Sequence, residues 1–116
     1  MIRVLLVDDS ITQQVVIRRA LVKDDQFTVV GEAEDGRKAV ELVRKTDPDV
    51  VLMDIHMPDM DGIEATRAIM SEHSVPIVIA SSTLKERDVD HGMKAFDTGA
   101  VSVIAKPEGR DVLHRQ

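Results

Sequence analysis

The stretch Val4-Leu5-Leu6-Val7-Asp8-Asp9 places two acids directly after four apolar residues. Two later apolar runs also end at a polar residue: the acid Asp54 follows Val50–Met53, and the hydroxyl residue Ser81 follows Ile77–Ala80. Continuous apolar runs of this length are typical of strands buried on both faces, which occur in parallel sheets covered by helices. The sequence therefore predicts a doubly wound α/β fold.

A fourth apolar run, Val101–Ala105, ends at Lys106. The carboxyl ends of parallel strands meet at one edge of an open α/β sheet, and ligands bind beyond that edge. We therefore expect the polar residues that follow the four runs to lie together. These residues are Asp8, Asp9, Asp54, Ser81 and Lys106.

Helical patterns separate the apolar runs, as in repeated βα units with right-handed crossovers. Ser10 is predicted to cap a first helix, in which apolar pairs such as Ile11 and Val15 lie four residues apart. Phe27–Ala33 has the weaker apolar character of an edge strand. A second helix is predicted to begin at Gly36 and to end before residues 47–49.

The second half of the chain continues this alternation of strands and helices. A loop is predicted over Met57–Gly62, a helix over about Ile63–Glu72 and a strand from Pro76. A later helix is predicted to end at Gly99, which suits the C-terminal cap of a helix. The order of elements is therefore that of a single layered α/β domain.

The chain has 116 residues, a net charge of −6 and a pI near 5.1. We expect residues 1–107 to form one domain and 108–116 to be the start of a linker or a truncated last helix. With 15 Lys and Arg against 21 Asp and Glu, the chain lacks the basic excess needed for direct binding to nucleic acid. Val4–Val7 is too short for a signal-peptide core or a membrane span, and there is no cysteine. These features predict a cytoplasmic protein without membrane insertion.

The predicted acid cluster has a definite chemistry. Three converging carboxylates repel one another unless a cation lies among them, and oxygen ligands without a histidine or cysteine pattern favour Mg²⁺. Asp54 as nucleophile, the ammonium of Lys106 and the hydroxyl of Ser81 then form a set suited to phosphoryl transfer. Taken singly, acids at strand ends are commonly helix caps, a lysine is commonly a surface residue and a serine is commonly a turn or cap residue. Their joint position at successive strand ends favours phosphoryl transfer.

Three motifs resemble those of the receiver domain of two-component response regulators. They are Val-Asp-Asp-Ser at 7–10, Met-Asp-Ile-His-Met-Pro-Asp-Met-Asp-Gly at 53–62 and Ala-Lys-Pro at 105–107. The resemblance covers nearly the whole chain, from Ile2 to Pro107. It implies a flavodoxin-like sheet of five parallel strands in the order 2-1-3-4-5, with helices on both faces.

The resemblance also implies a role for each acid. Asp54 would be the phosphoacceptor, which receives a phosphoryl group from a histidine kinase. Asp8, Asp9 and Asp54 would bind Mg²⁺ together with the backbone carbonyl of His56. The cofactor implied is therefore magnesium, and the partner implied is the kinase that donates the phosphoryl group.

Two further positions are implied to relay the signal. Lys106 would pair with the phosphoryl oxygens and precede a cis peptide bond to Pro107. Ser81 would move toward the phosphoryl group and draw the following loop with it. Family members usually carry an aromatic residue three positions before the lysine, where this chain has Val103. We therefore expect activation to pass through the Ser81 loop rather than through a rotating aromatic ring.

Ser81-Ser82-Thr83 and the segment from Thr98 to Pro107 are most similar to the receiver of the chemotaxis protein-glutamate methylesterase. That receiver masks a C-terminal catalytic domain until it is phosphorylated, so the implied effector acts in cis. The present segment would catalyse only its own phosphorylation and dephosphorylation. The alternative is a stand-alone receiver that binds a protein target in trans when phosphorylated.

Two other protein classes fit the sequence less well. A flavodoxin-type electron carrier needs a phosphate-binding loop rich in Ser, Thr and Gly after the first strand, where this chain has Asp8-Asp9-Ser10. Phosphatases with an aspartyl-phosphate intermediate carry Asp-x-Asp after the first strand, whereas the acids here are adjacent and the expected nucleophile follows the third strand.

Overall fold

The computed structural model of the protein describes residues 1–54, 57, 62–81 and 102–105. Its elements, in chain order, are β1 (Ile2–Val7), α1 (Ile11–Val22), β2 (Phe27–Ala33), α2 (Gly36–Thr46), β3 (Val50–Asp54), α3 (Gly62–Met70), β4 (Ile77–Ser81) and β5 (Ser102–Ala105). The strands form one parallel sheet in the order β2-β1-β3-β4-β5. The predicted flavodoxin-like fold is therefore confirmed. The helix predicted to end at Gly99 and residues 106–116 lie outside the described residues.

The ends of α3 and β4 differ slightly from the prediction. Helix α3 ends at Met70 rather than near Glu72, because the backbone N–H of Glu72 donates to Ile69 O, three residues back, and so tightens the last turn. Strand β4 begins at Ile77 rather than Pro76. Pro76 has no N–H to donate, and it contributes only its carbonyl, which accepts from Val51 N at 2.9 Å.

Strand β1 explains why continuous apolar runs predicted this sheet. Leu5 and Val7 belong to a core shared with α2 and α3 on one face. Val4 and Leu6 pack with Ile17 of α1 on the other face. These four side chains are at most 2% exposed, so both faces of β1 are buried from Val4 to Val7, as expected for the interior of a parallel sheet.

Strand β2 lies at one edge of the sheet and contains a β-bulge. Val4 pairs with Val29, but the next residue, Leu5, pairs with Gly31, so Val30 is skipped. A Cβ on Gly31 would lie 3.1 Å from Leu5 Cδ1, which leaves little room for a side chain there. The bulge thus sets the register that brings Ala33 opposite Val7, at the carboxyl end of the sheet.

Candidate metal centre

Three carboxylates meet at the carboxyl edge of the sheet, as the sequence predicted. Asp8 and Asp9 follow β1, and Asp54 is the last residue of the neighbouring strand β3. Carboxylate oxygens of the three residues all lie within 4.8 Å of one another. Asp8 and Asp54 are 2% and 5% exposed, whereas Asp9 is exposed to solvent. The cluster is therefore buried on the side of Asp8 and Asp54 and open to solvent on the side of Asp9.

Local hydrogen bonds hold Asp8 in place. Its backbone N–H donates to Ala33 O at 2.9 Å, which extends the β1–β2 ladder by one residue. Its Oδ1 accepts from the N–H of Ser10 at 2.9 Å. Ser10 in turn caps α1, because its Oγ accepts from Gln13 N at 3.2 Å. The short polar side chains at positions 8 and 10 therefore turn the chain directly from strand into helix.

Ionised carboxylates at this separation would repel one another. Two unit charges separated by the 4.8 Å limit of this cluster repel by about 3.5 kcal/mol at an effective dielectric constant of about 20. Burial of Asp8 and Asp54 keeps water from screening that repulsion fully. A cation among the three acids would turn this repulsion into attraction.

The donor set fits a hard divalent cation. Mg²⁺ binds oxygen ligands at about 2.1 Å, so opposite ligands of one ion lie about 4.2 Å apart. The carboxylate oxygens, all within 4.8 Å of one another, lie close to that span. Carboxylate oxygens are the donors that Mg²⁺ prefers, and no cysteine is present in the chain to favour a softer metal.

The remaining predicted site residues are placed only in part. Ser81 ends β4, one step beyond Ala80, which pairs with Asp54, so its backbone lies at the same sheet edge as the acids. Ser81 also pairs with Ala105, the last residue of β5. Lys106, which follows Ala105 in the chain, and His56 lie outside the described residues.

One residue near the acids was not anticipated from the sequence. Gln14 is 4% exposed, and its Nε2 donates to the backbone carbonyls of Asp8 and Ala33 at 2.7 and 3.2 Å. The apolar pairs of α1 did not reveal it, since Ile11 proves to be 63% exposed and the helix buries Gln14 and Ile17 instead. The available signal was the polar residue four positions after the Ser10 cap, one helical turn into α1.

Among the helices that the structure describes, none has the length and apolar character required to cross a bilayer.

Comparison with known proteins places the chain in a family. The family model of the response regulator receiver domain matches residues 4–116. Protein-glutamate methylesterase/protein-glutamine glutaminase 4 of Geobacter metallireducens is 44% identical over 94% of this chain, and its namesake in Myxococcus xanthus is 47% identical over 93%. The chain spans only 31% and 30%, respectively, of the length of these two relatives.

A solved structure supports the same assignment. The crystal structure of the response regulator domain of Thermotoga maritima CheB is similar, with a TM-score of 0.84 and 39% sequence identity. The similarity covers 94% of this chain and 81% of that one. The chain therefore belongs to the response regulator receiver domains, and within them to the receivers of CheB-type response regulators.

Proposed function

We propose that this domain takes a phosphoryl group from a histidine kinase onto Asp54 in a Mg²⁺-dependent reaction and relays the signal by a conformational change. The observation that carries the proposal is the meeting of Asp8, Asp9 and Asp54 within 4.8 Å at the carboxyl edge of a parallel sheet. Asp54 ends β3, the central strand of the sheet, which makes it the best placed of the three to act as nucleophile.

The proposed reaction exchanges one bond to phosphorus for another. A carboxylate oxygen of Asp54 forms a bond to phosphorus as the phosphorus–nitrogen bond of the donor phosphohistidine breaks, and the imidazole leaves with the bonding electrons and takes up a proton. Asp8, Asp9 and Asp54 would hold Mg²⁺ together with the backbone carbonyl of His56. The bound ion would neutralise the negative charge gathered around the phosphoryl group.

Two residues are proposed to act on the phosphoryl group itself. Lys106 would neutralise its oxygens, and Ser81 would donate a hydrogen bond to one of them. The position of Ser81 supports this role, since β4 lies beside β3 and its last residue reaches the same sheet edge. Movement of Ser81 would draw the following loop with it and so change the surface that the domain presents.

The effector is proposed to be a methylesterase domain in the same polypeptide, with residues 1–107 as the receiver and 108–116 as the start of a linker or a truncated last helix. Support comes from the CheB-type relatives, whose chains extend well beyond the part matched here. The protein would act in the cytoplasm, where histidine kinases present their phosphohistidine. The receiver segment alone would catalyse only its own phosphorylation and dephosphorylation.

The proposal is tested by the intact mass of the protein after incubation with acetyl phosphate and Mg²⁺, followed by a quench in mild acid that preserves an acyl phosphate. We expect one phosphoryl adduct in the wild type, none in Asp54→Asn and none without Mg²⁺. Asp25→Asn, which neutralises an exposed acid between α1 and β2, is the matched control and should be phosphorylated normally. An adduct on Asp54→Asn would show that another residue is the acceptor.

A second assay addresses the effector. In the full-length protein, phosphorylation should raise methylesterase activity, and the Asp54→Asn protein should stay at the basal rate. Normal phosphorylation with no change in esterase activity would instead favour a receiver that acts by binding a protein target in trans.

A further inference from the structure

Gln14 is the buried polar side chain that the proposed reaction leaves unexplained. The described part of the chain buries four polar side chains: Asp8, Gln14, Asp54 and Thr66. Two of them belong to the acid cluster, and the hydroxyl of Thr66 donates to Gly62 O within its own helix. Gln14 alone reaches out of its own helix, to the ends of two strands. Burial of an amide is unfavourable unless its polar atoms are hydrogen-bonded, so these contacts explain why the helix can bury it.

The orientation of the Gln14 amide follows from its partners. Both neighbours are backbone carbonyls, which can only accept hydrogen bonds, so the NH₂ group must face them rather than the amide oxygen. The amide has two N–H groups, one for each carbonyl. Its bond to Asp8 O is 2.7 Å long, and its bond to Ala33 O is 3.2 Å long. One side chain of α1 therefore ties together the carboxyl ends of β1 and β2.

The contact with Asp8 also controls the direction of Asp9. The carbonyl of Asp8 belongs to the planar peptide group that links Asp8 to Asp9, so fixing its oxygen fixes the plane from which Asp9 departs. The N–H of Asp8 is held at the same time by Ala33 O. Asp9 is exposed, and packing contributes little to its position. The direction of its carboxylate therefore follows from the backbone, which Gln14 holds at the carbonyl of Asp8 and the hydrogen bond from Ser10 N–H to Asp8 holds on the other side of Asp9.

We infer that Gln14 is a positioning residue for the metal centre, which sets the geometry of the Asp8–Asp9 peptide and so the affinity for Mg²⁺. The inference rests on the proposed function, since it assigns a role in the same site. Gln14 acts through the backbone and does not touch the ion. In metal sites, groups that orient the ligands commonly change metal affinity by about 10-fold to 100-fold when they are removed.

The test compares Gln14→Met with Ile17→Ala. Methionine has nearly the shape of glutamine but no N–H, so it removes the two hydrogen bonds and preserves the packing. Ile17 is one turn further along α1, buried against Val4 and Leu6, and its truncation loosens the same helix without touching either carbonyl. The Mg²⁺ dissociation constant is measured by calorimetric titration, and the melting temperature of each protein is recorded without metal.

We expect Gln14→Met to raise the Mg²⁺ dissociation constant by about 10-fold or more, and Ile17→Ala to lower the melting temperature with the dissociation constant unchanged. Phosphorylation of Gln14→Met by acetyl phosphate should be slow at low Mg²⁺ and recover as Mg²⁺ is raised. Gln14→Asn keeps the amide on a shorter stem, should lie between the wild type and Gln14→Met, and supplies the answer if the methionine variant does not fold.

Equal Mg²⁺ affinity in the wild type, Gln14→Met and Gln14→Asn would overturn the inference and leave the proposed function intact. Failure of the wild type itself to bind Mg²⁺ would refute the magnesium-dependent function and the role of Gln14 with it.

Discussion

Arg44 of α2 and Glu72, just after α3, form a two-point ion pair that joins the two helices on one face of the sheet. Arg44 Nε donates to Glu72 Oε2 at 2.8 Å, and Nη2 donates to Oε1 at 2.6 Å. The hydrogen bond from Arg44 lowers the pKa of Glu72 below its usual value, and the same bond raises the pKa of Arg44. Both side chains are about half exposed, so the pair contributes modestly to stability.

This pair predicts a pH dependence of stability. Because the pKa of Glu72 is lower in the folded protein than in the unfolded chain, the ionised Glu72 contributes fully to the stability of the fold at a pH above the ordinary glutamate pKa. This stabilisation is lost as the pH falls through the lower pKa that Glu72 has in the folded protein. Glu72→Gln should therefore melt at a lower temperature than the wild type at neutral pH, and the difference should vanish in acid. A difference that grew as the pH fell would contradict this assignment.

Neutralising Asp54 should stabilise the protein in the absence of metal. Asp54→Asn removes one of the three carboxylates that lie within 4.8 Å of one another, and we expect the free energy of unfolding to rise by about 1 kcal/mol or more. Urea unfolding in EDTA measures the effect, with Asp25→Asn as the control for loss of an exposed acid. A metal-free Asp54→Asn protein clearly less stable than the wild type would argue against crowding of the acids.

Magnesium should stabilise the wild type by mass action. An ion that binds only the folded state adds about 1.4 kcal/mol when its concentration is ten times the dissociation constant. Thermal melts with increasing MgCl₂ should therefore show a rising midpoint, and the rise should be much smaller in Asp8→Asn. NaCl at matched ionic strength controls for screening, and an equal rise with NaCl would show that no specific site is involved.

Replacing Asp47 with glycine should stabilise the fold. Asp47 follows α2 with a φ of 46°, in the left-handed region that side chains disfavour and glycine adopts freely. Its backbone carbonyl accepts from Arg3 Nη1, and that contact survives the substitution. We expect Asp47→Gly to raise the free energy of unfolding by about 0.5–1 kcal/mol, measured by urea unfolding.

Asp49 offers the contrasting substitution. Its Oδ2 accepts from the backbone N–H of Arg3 at 2.8 Å, so Asp49→Ala should lower the free energy of unfolding by about 1 kcal/mol. Effects of opposite sign at these two positions would distinguish relief of backbone strain at Asp47 from loss of a hydrogen bond at Asp49. Destabilisation by Asp47→Gly would mean that its side chain matters more than its φ angle.

The strands and the acid cluster could be predicted because they follow from local patterns. Apolar runs such as Val4–Val7 are long enough to indicate burial on both faces, and the carboxyl ends of parallel strands must meet at one edge. The sequence alone therefore predicts that Asp8 and Asp54 converge. The strand order itself came from the family resemblance, since the runs alone do not specify which strands are neighbours.

Other features could not be predicted because they depend on contacts between distant parts of the chain. Glutamine is a polar residue that is mostly exposed in folded proteins. Only the approach of Asp8 and Ala33 gives the Gln14 amide two carbonyl partners. The exposure of Ile11 depends on how α1 docks on the sheet, which four-residue spacing alone does not determine. The backbone carbonyl of Asp47 likewise accepts from the side chain of Arg3, a contact with a distant part of the chain that local patterns do not indicate.

The bulge at Val30 has a consequence for the two faces of β2. Before it, Phe27 and Val29 pack on the α1 side of the sheet; after it, Ala33 belongs to the core on the α2 side. Odd-numbered positions thus exchange faces within a single strand, and Glu32 is left on the side where it pairs with Arg18 of α1. Inserting or deleting one residue in β2 would therefore move the side chains of one half of the strand to the opposite face of the sheet. Apolar side chains there would exchange places with charged ones, while the other half of the strand would keep its faces.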